Sequence, residues 1–273
     1  MKSKYICLLA SAGIAALFCT VSTAQAKPRA SLDSAQSFAV LAGSAVTLTD
    51  SIVIGDVGVD HGPLTNTNST ISGTVHVGDT VAQQAYTDFL AAYVALSNVP
   101  CEQVINGNLA NQFLAPGVYC VDAASTTTGG TLTLVGSSTD TWIFKIGTSG
   151  TGALTGTNFN VVMTSGETCN NNVYWRTTQA ATLTDSVFIG NVLAGTDITV
   201  TRGSLDGQLM AIGAVTLTGT TVEACGNVAS PAKPKANEGV GNGVDGNTPG
   251  HLHNGGNDDP AFSPGNPGAK SKK

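Results

Sequence analysis

The chain reads as a mainly β protein, a β-solenoid whose short coils stack on one another. Three observations predict this. Thr49-Asp50-Ser51-Ile52-Val53-Ile54-Gly55-Asp56-Val57 recurs, 135 residues later, as Thr184-Asp185-Ser186-Val187-Phe188-Ile189-Gly190-Asn191-Val192. A looser frame joins Thr49 to Thr67 and Thr184 to Thr201, in steps of 18 and 17, about one solenoid coil. Threonine also alternates with aliphatic residues in Val46-Thr47-Leu48-Thr49, Thr131-Leu132-Thr133-Leu134, Ala181-Thr182-Leu183-Thr184, Ile198-Thr199-Val200-Thr201 and Val215-Thr216-Leu217-Thr218. Strand side chains point to opposite faces in turn, so the aliphatic set fills an interior and the threonines face outward.

At the N-terminus, Lys2 and Lys4 precede an apolar run from Ile6 to Val21, closed by Ala24-Gln25-Ala26. This is the pattern of a secretory signal peptide over residues 1–26. The run is short for a membrane span, and no later run is long enough. A mature, extracellular chain is therefore expected to begin near Lys27, without Cys7 and Cys19.

Residues 27–226 read as one solenoid domain. Within it, Asp79 to Asn98 breaks the strand pattern. Asp79 suits an N-cap and Pro100 lies beyond the end, while Val81, Ala85, Phe89, Ala92 and Leu96 share one face. The segment is expected to be a helix lying along the solenoid. The repeated phrases flank it, so the chain is expected to begin the stack, detour through the helix and return beside its first coils.

Cys101, Cys120, Cys169 and Cys225 remain after export, which suggests two disulfides with three possible connectivities. Cys101–Cys120 with Cys169–Cys225 is the expectation, because the first pair closes a short loop. None has C-x-x-C spacing, which argues against zinc and thioredoxin-like chemistry. Residues 227–273 are rich in Gly, Asn, Asp and Pro, and read as a disordered tail. His251 and His253 there could hold a metal, but in a disordered tail they read as incidental.

Only 11% of residues are charged, and few between 27 and 226 are basic. Such a surface neutralises few phosphates, which argues against nucleic acid as partner. Enzymatic chemistry has little support. Glu102, Glu167 and Glu223 are isolated, and His61 and His76 have no evident nucleophile partner. No cofactor is expected, and the chain is expected to be a monomer.

Several ordered phrases resemble a known family: Ser37-Phe38-Ala39-Val40-Leu41-Ala42-Gly43-Ser44, Ile54-Gly55-Asp56-Val57-Gly58-Val59, Gly73-Thr74-Val75-His76-Val77-Gly78-Asp79, Leu114-Ala115-Pro116-Gly117-Val118-Tyr119-Cys120, Trp142-Ile143-Phe144-Lys145-Ile146-Gly147 and Asn172-Val173-Tyr174-Trp175. Together, over residues 35 to 225, they resemble the microbial ice-binding proteins of the DUF3494 type. The resemblance implies a discontinuous right-handed β-solenoid of triangular section with one long α-helix packed alongside. It also implies adsorption to an ice crystal surface through one flat face, as in antifreeze proteins and inhibitors of ice recrystallisation.

The family's Thr-(Ala or Gly)-x-(Thr or Asn) pattern is met at Thr128/Thr131, Thr155/Asn158 and Thr218/Thr221. With Thr184 and Thr201 from looser versions, these residues form the expected ice-binding face. The looser versions place charge at Asp50, Asp185 and Arg202. A second reading keeps the scaffold but gives it to cell-surface adhesion or an extracellular matrix, with the tail meeting a surface or matrix polymer.

Overall fold

A computed structural model describes residues 31–169 and 172–225. The expected signal peptide and tail lie outside these residues. Among the described residues are twenty-one strands and one α-helix, and every strand pairing is parallel. Each full coil visits three faces with tight corners between them. In one coil the faces are Trp142–Ile146, Leu154–Thr157 and Asn160–Met163. In others, a single bent strand such as Ile198–Asp206 covers two faces.

The stacking order departs from chain order. On the first face, Phe38–Ala42 lies between Asp56–Val59 and Leu209–Ala211. The chain lays down its first coils and passes through the helix α1 (Thr80–Asn98). It then stacks back towards its start, until Ala214–Glu223 pairs with Ala45–Thr49 and Ile52–Ile54. The expected detour is therefore present, and it leaves a seam joining residues far apart in sequence.

The alternation explains the core. In Ala45–Thr49 and Ala181–Thr184, Val46, Leu48, Ala181 and Leu183 are buried while the threonines between them are not. Rings stack inside as the strands do. Phe144 lies flat on Trp175 at 4.0 Å between centroids, with Tyr119 on the other side at 5.5 Å. The Trp175 indole donates to the Ile189 carbonyl, which satisfies a buried N–H.

The first face is apolar on both sides, so it needs a cover. Phe38, Leu41, Val118, Ile143, Tyr174, Leu193 and Met210 form a second core with Ala85, Phe89, Ala92 and Leu96 of α1. The Asp79 carboxylate caps the helix by accepting from the Ala82 N–H at 2.8 Å. Val81 corrects one expectation: it is 47% exposed, and Ala82 takes the buried position. Val81 and Ala82 flank the stripe on opposite sides, four and three residues before Ala85, and it is the Ala82 side that faces the solenoid.

At the other end, the Lys145 ammonium reaches from the first face and donates to the carbonyls of Ser97 and Val99. Burial, helped by the nearby Arg176 guanidinium, holds its pKa below the ordinary lysine value. Cys101 bonds to Cys120, tying the chain just after α1 to the first face, and Cys169 bonds to Cys225. This is the expected connectivity.

Candidate functional site

The second face carries the most regular surface chemistry among the described residues. Its strands are Leu64–Thr67, Ala45–Thr49, the leading halves of Ala214–Glu223, Ile198–Asp206 and Ala181–Ile189, then Leu154–Thr157 and Ser125–Thr128. Parallel register places Thr65, Thr47, Thr216, Thr199, Thr182, Thr155 and Thr126 in one row. Two residues further along each strand, Thr67, Thr49, Thr218, Thr201, Thr184, Thr157 and Thr128 form a second row in the same order.

Each row thus holds seven threonines spaced by about 4.8 Å, and the rows lie about 6.7 Å apart. The rows run about 29 Å from end to end. All fourteen side chains are exposed or half-buried. β-Branching leaves each one few χ1 choices, so the methyls and hydroxyls repeat as the backbone does. No member of the array titrates near neutral pH, so it performs no acid–base chemistry.

A left-handed residue follows the second row in every coil. Asn68, Asp50, Gly219, Arg202, Asp185, Asn158 and Gly129 all have φ between 49° and 68°. This conformation suits Gly and is tolerated by Asn and Asp, which accounts for most of the residues found there. It turns the chain sharply onto the third face. The charges at Asp50, Asp185 and Arg202 therefore stand at the corner beside the rows rather than within them. Arg202 grips Asp185 with two 2.7 Å hydrogen bonds, which hold the carboxyl below its usual range. Asp50 accepts from the Asn68 amide at 2.7 Å.

The corner divides the residues expected to form one face. Thr128, Thr155, Thr184, Thr201 and Thr218 lie on the threonine face. Asn158 sits at the corner. Thr131 and Thr221 lie beyond it, in a third-face row that runs Thr70, Ile52, Thr221, Ser204, Val187, Asn160, Thr131. The residues at i and i+3 in Thr-Gly-x-Thr thus face different ways. The third face is also chemically mixed. Ile52 and Val187 are exposed, and the neighbouring row pairs Asp206 with Glu223.

Nine further threonines complete the array beyond those expected from the short pattern: Thr47, Thr49, Thr65, Thr67, Thr126, Thr157, Thr182, Thr199 and Thr216. Their signal was present in the Thr-x-Thr alternation and its 17-residue steps.

Two of the isolated acids hold backbone. Glu102 accepts from the Val118 N–H, and Glu167 accepts from the Ser138 N–H and hydroxyl. His76 meets Asp79 at 2.8 Å beside the helix cap. Among the described residues no three metal-ligating side chains converge, and no helix is long and apolar enough to cross a membrane.

Known proteins share this architecture. The family model described as ice-binding-like matches residues 40–223. A Nostoc sp. (strain HG1) protein named ice-binding protein is 35% identical over 209 residues, which cover 74% of this chain and 75% of that one. The crystal structure of an ice-binding protein from the Antarctic ascomycete Antarctomyces psychrotrophicus aligns with a TM-score of 0.65 at 30% identity, covering 72% of this chain and 98% of that one. The DUF3494 domain of a Shewanella frigidimarina ice-binding protein aligns at 0.62 and 28% identity, with the same coverage.

Proposed function

The chain belongs to the ice-binding-like family, and from that premise we propose that it adsorbs to ice through its double threonine ladder. One observation carries the choice of face: fourteen threonines stand in two registered rows with no charged side chain among them. Each methyl favours cage-like water above it, and each hydroxyl anchors that water by hydrogen bonds. The stiff rotamers repeat this pattern over the face, so the ordered layer can merge with a growing crystal. No bond is made or broken and no proton moves, so the action is adsorption rather than catalysis.

The relatives support ice as the partner and give no support to adhesion or matrix attachment. The N-terminal pattern supports export, with residues 27–226 as the working domain, active as a monomer outside the cell. Asn158, Thr131 and Thr221 remain candidates only as the border of the face, because the corner turns them away from the rows.

The test compares faces by ice recrystallisation inhibition, with circular dichroism to verify the fold. Thr199→Tyr puts a ring in the middle of the first row, while Thr221→Tyr puts the same ring on the third face. Activity is expected to vanish in the first variant and persist in the second. The reverse result would move the site to the third face. No inhibition by the folded wild type would remove ice as the partner.

A further inference from the structure

Four of the fourteen threonines depend on the seam. Thr47, Thr49, Thr65 and Thr67 belong to the first coils, which meet the rest of the array only where Ala45–Thr49 pairs with Ala214–Glu223. The backbone ladder across this seam is interrupted. It runs to the pair Thr49↔Thr218 and resumes at Ile52↔Thr221. Between them lie the left-handed corner residues Asp50 and Gly219, which turn their peptides out of the ladder.

The Ser51 hydroxyl fills the gap. It accepts from the Thr220 N–H at 3.2 Å and donates to the carbonyl of Thr49 at 2.8 Å. The Ser51 N–H then donates to the Ser69 hydroxyl at 2.9 Å, carrying the link to the outermost coil. Ser51 is 2% exposed, so water is a poor substitute for these bonds. Ser51 thus joins three coils beside the second row, its hydroxyl holding the coil of Thr220 and its backbone N–H the coil of Ser69.

We propose that Ser51 is a positioning residue for ice adsorption, setting the register of the seam so that both threonine rows continue across it. The proposal rests on the threonine face being the ice-binding surface. Gln208 binds the seam at the first face, where its amide donates to the carbonyls of Ala35, Gln36 and Phe38. The two coils therefore remain attached when Ser51 is altered. What changes is the placement of Thr47, Thr49, Thr65 and Thr67 relative to the other ten threonines.

The experiment measures recrystallisation inhibition and melting temperature on the full chain. Ser51→Ala is expected to raise the concentration needed for inhibition by about five-fold, the equivalent of one lost hydrogen bond. Ser51→Thr is expected to restore activity, because the equivalent corner position of the neighbouring coil holds Thr220. A chain with Thr47, Thr49, Thr65 and Thr67 all changed to Ala is expected to lose nothing further on Ser51→Ala. A purely structural serine would add its loss in that background too. If Ser51→Ala fails to fold, Ser69→Ala removes only the outer link and is expected to give a smaller loss.

Wild-type inhibition left unchanged by Ser51→Ala, or by Ser69→Ala where Ser51→Ala does not fold, overturns the positioning role while ice binding stands. A folded wild type without inhibition overturns the ice reading itself.

Discussion

Arg202 and Asp185 stand on adjacent coils at the edge of the threonine face, and the guanidinium holds both carboxylate oxygens at 2.7 Å. The pair sits next to Thr201 and Thr184 of the second row. Two opposite charges in this geometry present a smaller net field to the water above than either alone.

Breaking the pair is therefore expected to harm activity more than removing it. Arg202→Ala leaves the Asp185 carboxylate without its cation beside the row, where it binds liquid-like water. The double variant Asp185→Asn/Arg202→Gln removes both charges. Recrystallisation inhibition is expected to fall in the single variant and recover in the double one, as a double-mutant cycle would show. Equal activity in all three would show that the corner does not influence the face.

The disulfides are expected to stabilise unequally. Cys101 and Cys120 are separated by 19 residues, and Cys169 and Cys225 by 56. Loop-closure entropy assigns them about 3 and about 4 kcal/mol. Paired Cys→Ser variants, compared by urea denaturation, should rank in that order. Helix docking on the first face should also loosen without Cys101–Cys120, which amide exchange along α1 would detect.

Acid should weaken the fold within a defined window. The carboxyls of Asp79, Asp88, Glu167 and Asp185 lie below their ordinary values. The main causes are the Ala82 N–H, the Ser34 hydroxyl, the Ser138 hydroxyl and the Arg202 guanidinium respectively. Between the depressed and the ordinary pKa, the unfolded chain binds more protons than the folded one. The stabilisation is complete above the ordinary values of 3.8 and 4.5, and is lost as pH falls through the depressed ones. All four groups are exposed or nearly so, so solvent screens each contribution. The melting temperature is expected to stay level from neutral pH to about pH 5 and then decline.

Two glycines should respond differently to alanine. A Cβ on Gly195 would press on the Thr178 carbonyl and the Tyr93 hydroxyl, where α1 approaches the solenoid closely. Gly195→Ala is expected to cost about 1–3 kcal/mol and to loosen the helix. Gly129 has open space around it but a φ of 68°, so Gly129→Ala costs only backbone strain, about 1–2 kcal/mol. Thermal melts of both variants would separate the two causes.

The stack, the helix and the Cys101–Cys120 disulfide were legible in the sequence, because each leaves a local mark: a 17-residue step, a cap at Asp79, a short loop between cysteines; Cys169–Cys225 followed only as the remaining pair. The face was legible only in part. Thr155 and Thr218 stand in the rows, whereas Thr131 and Thr221, which share the same short pattern, lie past the corner. Linear spacing does not show that a left-handed residue at Asn158 or Gly219 turns the chain between i and i+3. Thr131-Leu132-Thr133 and Thr182-Leu183-Thr184 have the same alternation, yet they lie on different faces. Only register assigns them, and register is a property of the paired coils.

The seam also governs how the molecule can be made. Thr49 and Thr218 are neighbours in the finished stack, although nearly the whole domain separates them in the chain. The opening coils therefore emerge from the ribosome with one edge waiting for a partner, Ala214–Glu223, that is made long afterwards. Folding dominated by such distant pairings is slow. The stack closes only when that strand arrives, so the edge of the first coils stays unpaired until late in synthesis.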